Sequence, residues 1–155
     1  MREILFRGKL LSDGRWAEGN LDIKKSGVCI ITPDETPFGS YGQVAHETVG
    51  QYTGLTDKNG KRIFEGDIVR WASANTYLTS NYVYDRKAYG YGSVLIVTSL
   101  ASGFTLRQIK DNAPDIPNAN RKIDNYSFWN HQGQLEVIGN IHDNPELIGG
   151  KEDGT

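Results

Sequence analysis

The chain has 155 residues, 37% of them hydrophobic, with 18 glycines, a single methionine and a formal net charge of −2. That length suits one domain or two small lobes burying about two-thirds of the unfolded surface, and glycine-rich turns with scattered aromatics favour an all-β fold over a helical bundle. The near-neutral charge excludes strong non-specific DNA binding, which needs several Lys or Arg side chains neutralising phosphates, while leaving room for a local basic face.

Ile4 to Leu11 reads as a first strand, closed by Ser12-Asp13-Gly14, a hairpin turn of the Asp-Gly type. From Ala17 to Ile23 small or apolar residues alternate with Glu18, Asn20, Asp22 and Lys24, the pattern of a half-buried strand. Trp16 has the wrong parity for that apolar face, and a bulge at Gly19 would reset it. Lys25-Ser26-Gly27 then turns into Val28 to Ile31, so the first third reads as a three-stranded antiparallel meander. Cys29, the only cysteine, sits in this apolar run and packs as a small hydrophobe. With no disulfide available inside the chain, a reducing cytoplasm is the expected compartment. The N-terminus has no apolar signal core, and no run approaches the ~18 apolar residues of a membrane span, so no membrane partner is expected.

Thr32 to Tyr41 holds two prolines and turn-prone polar clusters and marks a loop at a lobe boundary. Gly42 to Val49 leads into the stretch around which the chain is organised, Thr48 to Trp71. Asn59-Gly60 is its strongest hairpin signal, because a tight two-residue turn needs φ > 0 at both central positions. Gly66-Asp67 is a second turn, opening onto Ile68-Val69-Arg70-Trp71. The expected result is a meander with Lys61 to Phe64 as its central short strand. Lys58, Lys61, Arg62 and Arg70 fall in or beside the hairpin. They form either a phosphate-contacting edge or a solvated hairpin whose charges pair with Asp57, Glu65 and Asp67.

Residues 72–92 have a different character, with five of the eight tyrosines, little aliphatic mass, and Arg86-Lys87. This segment is either an extended hairpin or loop inserted between core strands, or an arm in which Tyr82, Tyr84, Arg86 and Lys87 contact a partner chain or nucleic acid. Tyrosine offers flat contact area at low entropic cost. Val94 to Val97 is the most apolar run and a core strand, followed across Ala101-Ser102-Gly103 by a strand in which Phe104 and Leu106 alternate with Thr105 and Arg107. Lys110 to Asn120, rich in Asn, Asp and Pro, is a long loop, and Arg121 to Trp129 reads as a short helix capped by Asn120. Gln134 to Ile141 is the last strand, with Leu135 and Val137 directed one way and Glu136 the other. Asn144-Pro145 marks a helix start, N-cap then first helical position, with space for one turn before Gly149-Gly150. Val49-Gly50-Gln51-Tyr52 echoes Ile138-Gly139-Asn140-Ile141, which suggests two bulged strands of one kind.

The residues offer no catalytic signature. Pro33-Asp34 and Asp85-Arg86-Lys87 are too far apart for a nuclease motif, and Asp57, Glu65 and Asp67 stand where turns commonly place acids. His46, His131 and His142 lack i, i+4 spacing and cysteine partners, which argues against zinc. His142-Asp143 lies in a strand-to-helix turn, where a structural role outweighs acid–base work. No P-loop, nucleophile elbow or dinucleotide fingerprint occurs. The expectation is a non-enzyme with no catalytic residues, metal, cofactor or small-molecule substrate.

The run E-T-V-G-Q-Y-T-G-L-T-D-K-N-G-K-R-I-F-E-G-D-I-V, Glu47 to Val69, resembles the signature of the YopX-like family of phage and prophage proteins of Gram-positive bacteria. The opening M-R-E-I-L-F-R-G-K with Asp13-Gly14-x-Trp16, and the closing E-V-I-G-N-I-H-D-N-P-E-L, are similar to that family's two ends. The resemblance implies an all-β, mainly antiparallel fold with minor short helices. An N-terminal β-meander lobe would span 1–47 and an SH3-like β-barrel lobe 48–148, entered through Glu65 to Val69, with the Tyr-rich insertion 72–92 and a flexible tail 149–155. It implies no catalytic residues, and nucleic-acid binding only by analogy between barrels. The Tyr-rich segment and the loop from Lys110 to Asn120 match nothing in the family, so any role of Tyr82, Tyr84 or Arg86 is this chain's own. The expected function is a non-enzymatic phage accessory protein binding nucleic acid weakly, with a homo-oligomeric module acting through the Tyr-rich segment as the alternative.

Overall fold

The computed structural model describes residues 3–33, 42–71, 94–101, 103–110 and 132–149 of the chain. The Tyr-rich segment, the loop after Lys110 and the helix expected over Arg121 to Trp129 lie outside them, as does the tail beyond Gly149. The fold is all-β, with short 3-10 turns and one helical turn among the described residues. The chain divides into two compact units, Met1–Gly54 and Leu55–Thr155. The division falls inside a strand, where the sequence alone places a lobe boundary at 47/48.

The first unit contains β1 (Phe6–Lys9), β2 (Trp16–Ile23), β3 (Cys29–Thr32) and β4 (Gly42–Val44), then a 3-10 turn at His46–Thr48 and the start of β5 (Gly50–Thr56). The strand order is β4-β3-β2-β1-β5. β1 pairs with the first half of β2, Phe6↔Gly19 to Lys9↔Trp16, and β3 with the second half, Asn20↔Thr32 to Ile23↔Cys29. The sheet then curls back on itself. β4 pairs with β3 on one side, and on the other Val44 bridges Leu10, while the amides of Leu11 and Ala45 donate to the carbonyls of Gln43 and Lys9. The enclosed space holds Cys29, Ile31 and Val44, with Phe6, Leu10, Ala17, Leu21 and Val49 packed against them.

Two local expectations change here. The β1 ladder ends at Gly19 and the β3 ladder begins at Asn20, neither with a register shift, so Gly19 marks the change of partner along β2 and no bulge interrupts either ladder. Gly19 is needed for another reason: a Cβ at this position would overlap the carbonyl of Thr32, where β3 crosses close to β2. The parity of Trp16 is then simple, for it stands opposite Lys9 on the outer face of the hairpin. The Asp13-Gly14 turn is also wider than two residues. Leu10 and Arg15 close it by an amide-to-carbonyl bond of 2.9 Å, with Gly14 at φ +74°.

In the second unit, the end of β5 is followed by β6 (Arg62–Phe64), and then by β7 (Asp67–Trp71), β8 (Val94–Leu100) and β9 (Gly103–Lys110). A second 3-10 turn, Gln132–Gln134, leads into β10 (Leu135–Asn140), and α1 (Glu146–Gly149) is a single helical turn. β6 neighbours β5, but β7 belongs to a separate antiparallel sheet of order β10-β7-β8-β9. The expected meander through Lys61 to Phe64 is therefore split at Glu65-Gly66. Instead of a ladder partner on β7, the amide of Phe64 finds the buried Asp67 carboxylate at 2.8 Å. Gly66 is gripped by both flanks, donating to Val97 and accepting from Ile141, each at 2.9 Å.

The core of this unit is Leu55, Ile63, Val69, Trp71, Leu95, Val97, Leu106 and Leu135, with Phe104 and Val137 against it. Full burial of such side chains contributes about 1.5–3 kcal/mol each, and strand alternation puts them on one face of every strand. β10 carries the bulge that the sequence suggests: Val137 pairs with Val69 and Gly139 with Ile68, leaving Ile138 extra. Its proposed twin in β5 shows no shift, pairing Gln51 with Phe6 and Gly50 with Arg7. Nor does the Asn144 side chain cap the last helix. Its oxygen accepts the Asn140 amide at 3.2 Å, and its backbone carbonyl takes the Leu147 amide.

Candidate functional site

The basic hairpin joins β5 to β6 through a three-residue loop, Lys58-Asn59-Gly60. The Asp57 and Lys61 backbones close it at 2.8 Å, the Gly60 amide returns to the Asp57 carbonyl, and Gly60 sits at φ +81°. This replaces the expected two-residue turn: only the third loop residue needs the left-handed region, which glycine occupies without a Cβ clash. The reason is Asp57. Its Oδ1 accepts the amides of Asn59 and Lys61 at 2.8 and 2.9 Å, holding the wider turn. Its Oδ2 accepts the Val137 amide of β10 at 3.0 Å, and the Lys58 amide donates to the Leu135 carbonyl. The hairpin is thereby fastened along β10.

Asp57 is 5% exposed and Asp67 1%, so two of the three acids offered as counter-charges for the hairpin are turned inward onto backbone amides. Lys58, Lys61 and Arg62 are exposed around this stiffened turn. Arg70 is placed differently. It lies on β7 directly opposite Glu136 of β10, and the two form a cross-strand ion pair. The structure thus groups Lys58, Lys61 and Arg62 and assigns Arg70 to a neighbouring pair. Tyr82, Tyr84, Arg86 and Lys87 lie outside the described residues. Among the described residues, no group of three His, Cys, Asp or Glu is placed to hold a metal ion. His142 and Asp143 present their amides to the Asn140 side chain, which fixes the turn after β10.

Sequence reasoning missed a groove of about 440 Å³ in the first unit. It is lined by Leu10, Arg15, Trp16, Ala17 and Glu18, and by Ile31, which is itself fully buried. The Arg7 guanidinium stands 4.6 Å from the Trp16 ring centre and the Lys9 ammonium 5.6 Å, an arrangement in which cations meet the negative ring face. At the rim, Asp13 accepts the Arg15 amide at 3.0 Å and its Nε at 2.7 Å. These bonds, the backbone one first, hold the Asp13 carboxyl below its ordinary 3.8. The one available signal was the mismatched parity of Trp16. Among the described residues, no helix is long and apolar enough to cross a membrane.

Comparison with known proteins places these features in a family. No curated protein matches the chain. Among solved structures, it is similar to the crystal structure of protein EF1440 from Enterococcus faecalis, with a TM-score of 0.50 and 20% identity over 96% of this chain and 99% of that one. At that identity the likeness speaks for the fold alone. The family model described as YopX protein matches residues 12–149. The match takes in the central signature and the closing motif and leaves Met1 to Lys9 outside; spanning most of both units, it makes this chain a member of the YopX family.

Proposed function

We propose that the chain is a non-enzymatic accessory protein of a phage or prophage of Gram-positive bacteria, working in the host cytoplasm, whose second unit binds nucleic acid weakly. The observation that carries this reading is the basic hairpin: Lys58, Lys61 and Arg62 are exposed on a turn whose own Asp57 is occupied by three backbone amides. Cations held on a stiff turn contact phosphates without a large ordering cost, and three such contacts give modest, salt-sensitive affinity. The second unit is read as an SH3-like barrel. Supporting this are the order β10-β7-β8-β9, the hairpin fastened along β10, and the 3-10 turn that runs directly into β10. The fold by itself assigns no activity.

A gel shift with single- and double-stranded DNA and RNA over a salt series tests the proposal. Binding should weaken with salt and fall further in Lys61→Glu/Arg62→Glu, and absence of any shift at low salt removes the reading. The alternative, self-association through the Tyr-rich segment, has composition as its support. A monomer by light scattering, unchanged on deleting residues 75–90, would count against it.

A further inference from the structure

We propose that Asn59 is a latent deamidation site in the basic hairpin, held unreactive by Asp57 and converted to a carboxylate when that clamp opens. Asn59-Gly60 is the one place in the chain where asparagine precedes glycine. Glycine has no Cβ to shield its nitrogen, so this pair closes into a succinimide more readily than other asparagine pairs. In that step the Gly60 nitrogen gives up its proton and attacks Cγ of Asn59. The N–Cγ bond forms, the Cγ–NH2 bond breaks, and the departing group takes up the proton and leaves as ammonia. Water then opens the ring at either carbonyl, giving aspartate or its β-linked isomer, with nothing oxidised or reduced.

The turn works against this reaction. The Gly60 amide already donates its proton to the Asp57 carbonyl at 3.0 Å. The amides on either side, Asn59 and Lys61, both donate to Oδ1 of Asp57, at 2.8 and 2.9 Å. These bonds fix the peptide plane between Asn59 and Gly60, which has to rotate before the nitrogen faces Cγ. Oδ2 is anchored in turn on the Val137 amide at 3.0 Å, so one buried carboxylate sets how often the turn opens. Asn59 and Gly60 are themselves exposed, and Lys58 and Lys61 beside them favour the amide anion once the clamp is gone. The product places a negative charge among Lys58, Lys61 and Arg62. Its β-linked form also adds a backbone atom to the three-residue loop. The effect on ligand binding rests on the nucleic-acid reading above, while the chemistry does not.

The test ages the full chain in mildly alkaline buffer and follows the mass gain at Asn59 by peptide mass spectrometry. The folded chain should react at least about tenfold more slowly than the same chain in urea, because amides of the turn must first leave their acceptor. Asp57→Ala, checked for folding by circular dichroism, should recover most of the unfolded rate. If that variant does not fold, Asp57→Asn, which keeps one acceptor oxygen, should react at a rate between the two. Equal rates in the folded and the urea-unfolded chain overturn the proposal, and so does a folded Asp57 variant that reacts no faster than the parent. Asn59→Asp, the product of normal linkage, should bind a DNA oligonucleotide severalfold more weakly than the parent at low salt, as loss of about one phosphate contact requires. Undiminished binding by Asn59→Asp overturns the link between the modification and the hairpin. If neither protein binds while the rates differ as expected, the nucleic-acid reading fails and the deamidation site stands.

Discussion

In the first unit, Cys29, Ile31 and Val44 are the fully enclosed apolar residues of the cluster, and the sheet around them closes through backbone contacts at Leu10, Leu11 and Ala45. In the second, eight buried side chains, Trp71 among them, form one cluster, and a buried carboxylate ties the hairpin to the last strand. The former depends on how closely its strands approach, the latter on apolar volume and one acid. A unit of the first kind leaves a gap where its interior reaches the surface, and the groove beside Trp16 is such a gap. A unit of the second kind fills its interior and displays charged side chains on its turns, as at Lys58 to Arg62.

The comparison is most easily broken at Trp71. Trp71→Ala should cost about 3–5 kcal/mol in denaturant unfolding, as large-to-small changes in a filled core do, whereas Ile31→Val in the first unit should cost about 0.5–1.5 kcal/mol. The interiors are compared like for like by Ile63→Ala and Ile31→Ala, both at fully buried positions and each expected to cost about 2–5 kcal/mol, the second-unit change more; equal losses there would mean that the two interiors do not differ as described. Next comes Asp57→Ala, expected to cost about 2–3 kcal/mol because amides of the turn and of β10 lose their acceptor. Faster amide exchange at Val137 would trace that loss to the fastening.

Gly19→Ala tests the close approach in the first unit. Its added Cβ meets the Thr32 carbonyl, and overpacking of this kind costs about 1–3 kcal/mol; a neutral outcome would show that β3 can move away from β2. The smallest effect is at Asp13. Its folded pKa is depressed, so its contribution is present above the ordinary 3.8 and lost as pH falls through the lower folded value. The carboxyl should titrate below 3.8 by NMR, and Asp13→Asn should melt close to the parent at neutral pH. A midpoint at or above 3.8 would contradict the Asp13–Arg15 turn.

Much of this was legible in the amino acids because it is local. The hairpin at Asn59-Gly60, the strand at Val94 to Val97, the alternation of Ala17 to Ile23 and the bulge in β10 are each set by residues a few positions apart. Backbone sterics and the two-residue repeat of a strand act over that range. The basic triplet was legible for the same reason. The pairing of Arg70 was not legible, because its partner Glu136 stands 66 positions away.

Linear order settled the β character, most turn positions and the family to which the chain belongs. It did not settle which distant backbone each strand would meet. That β4 returns to Leu10, that β6 and β7 part into different sheets, and that Asp57 reaches Val137 across 80 positions were decided when the packed strands brought unsatisfied amides within reach of an acceptor. A buried amide must find such a partner, and only the folded arrangement says which one is near.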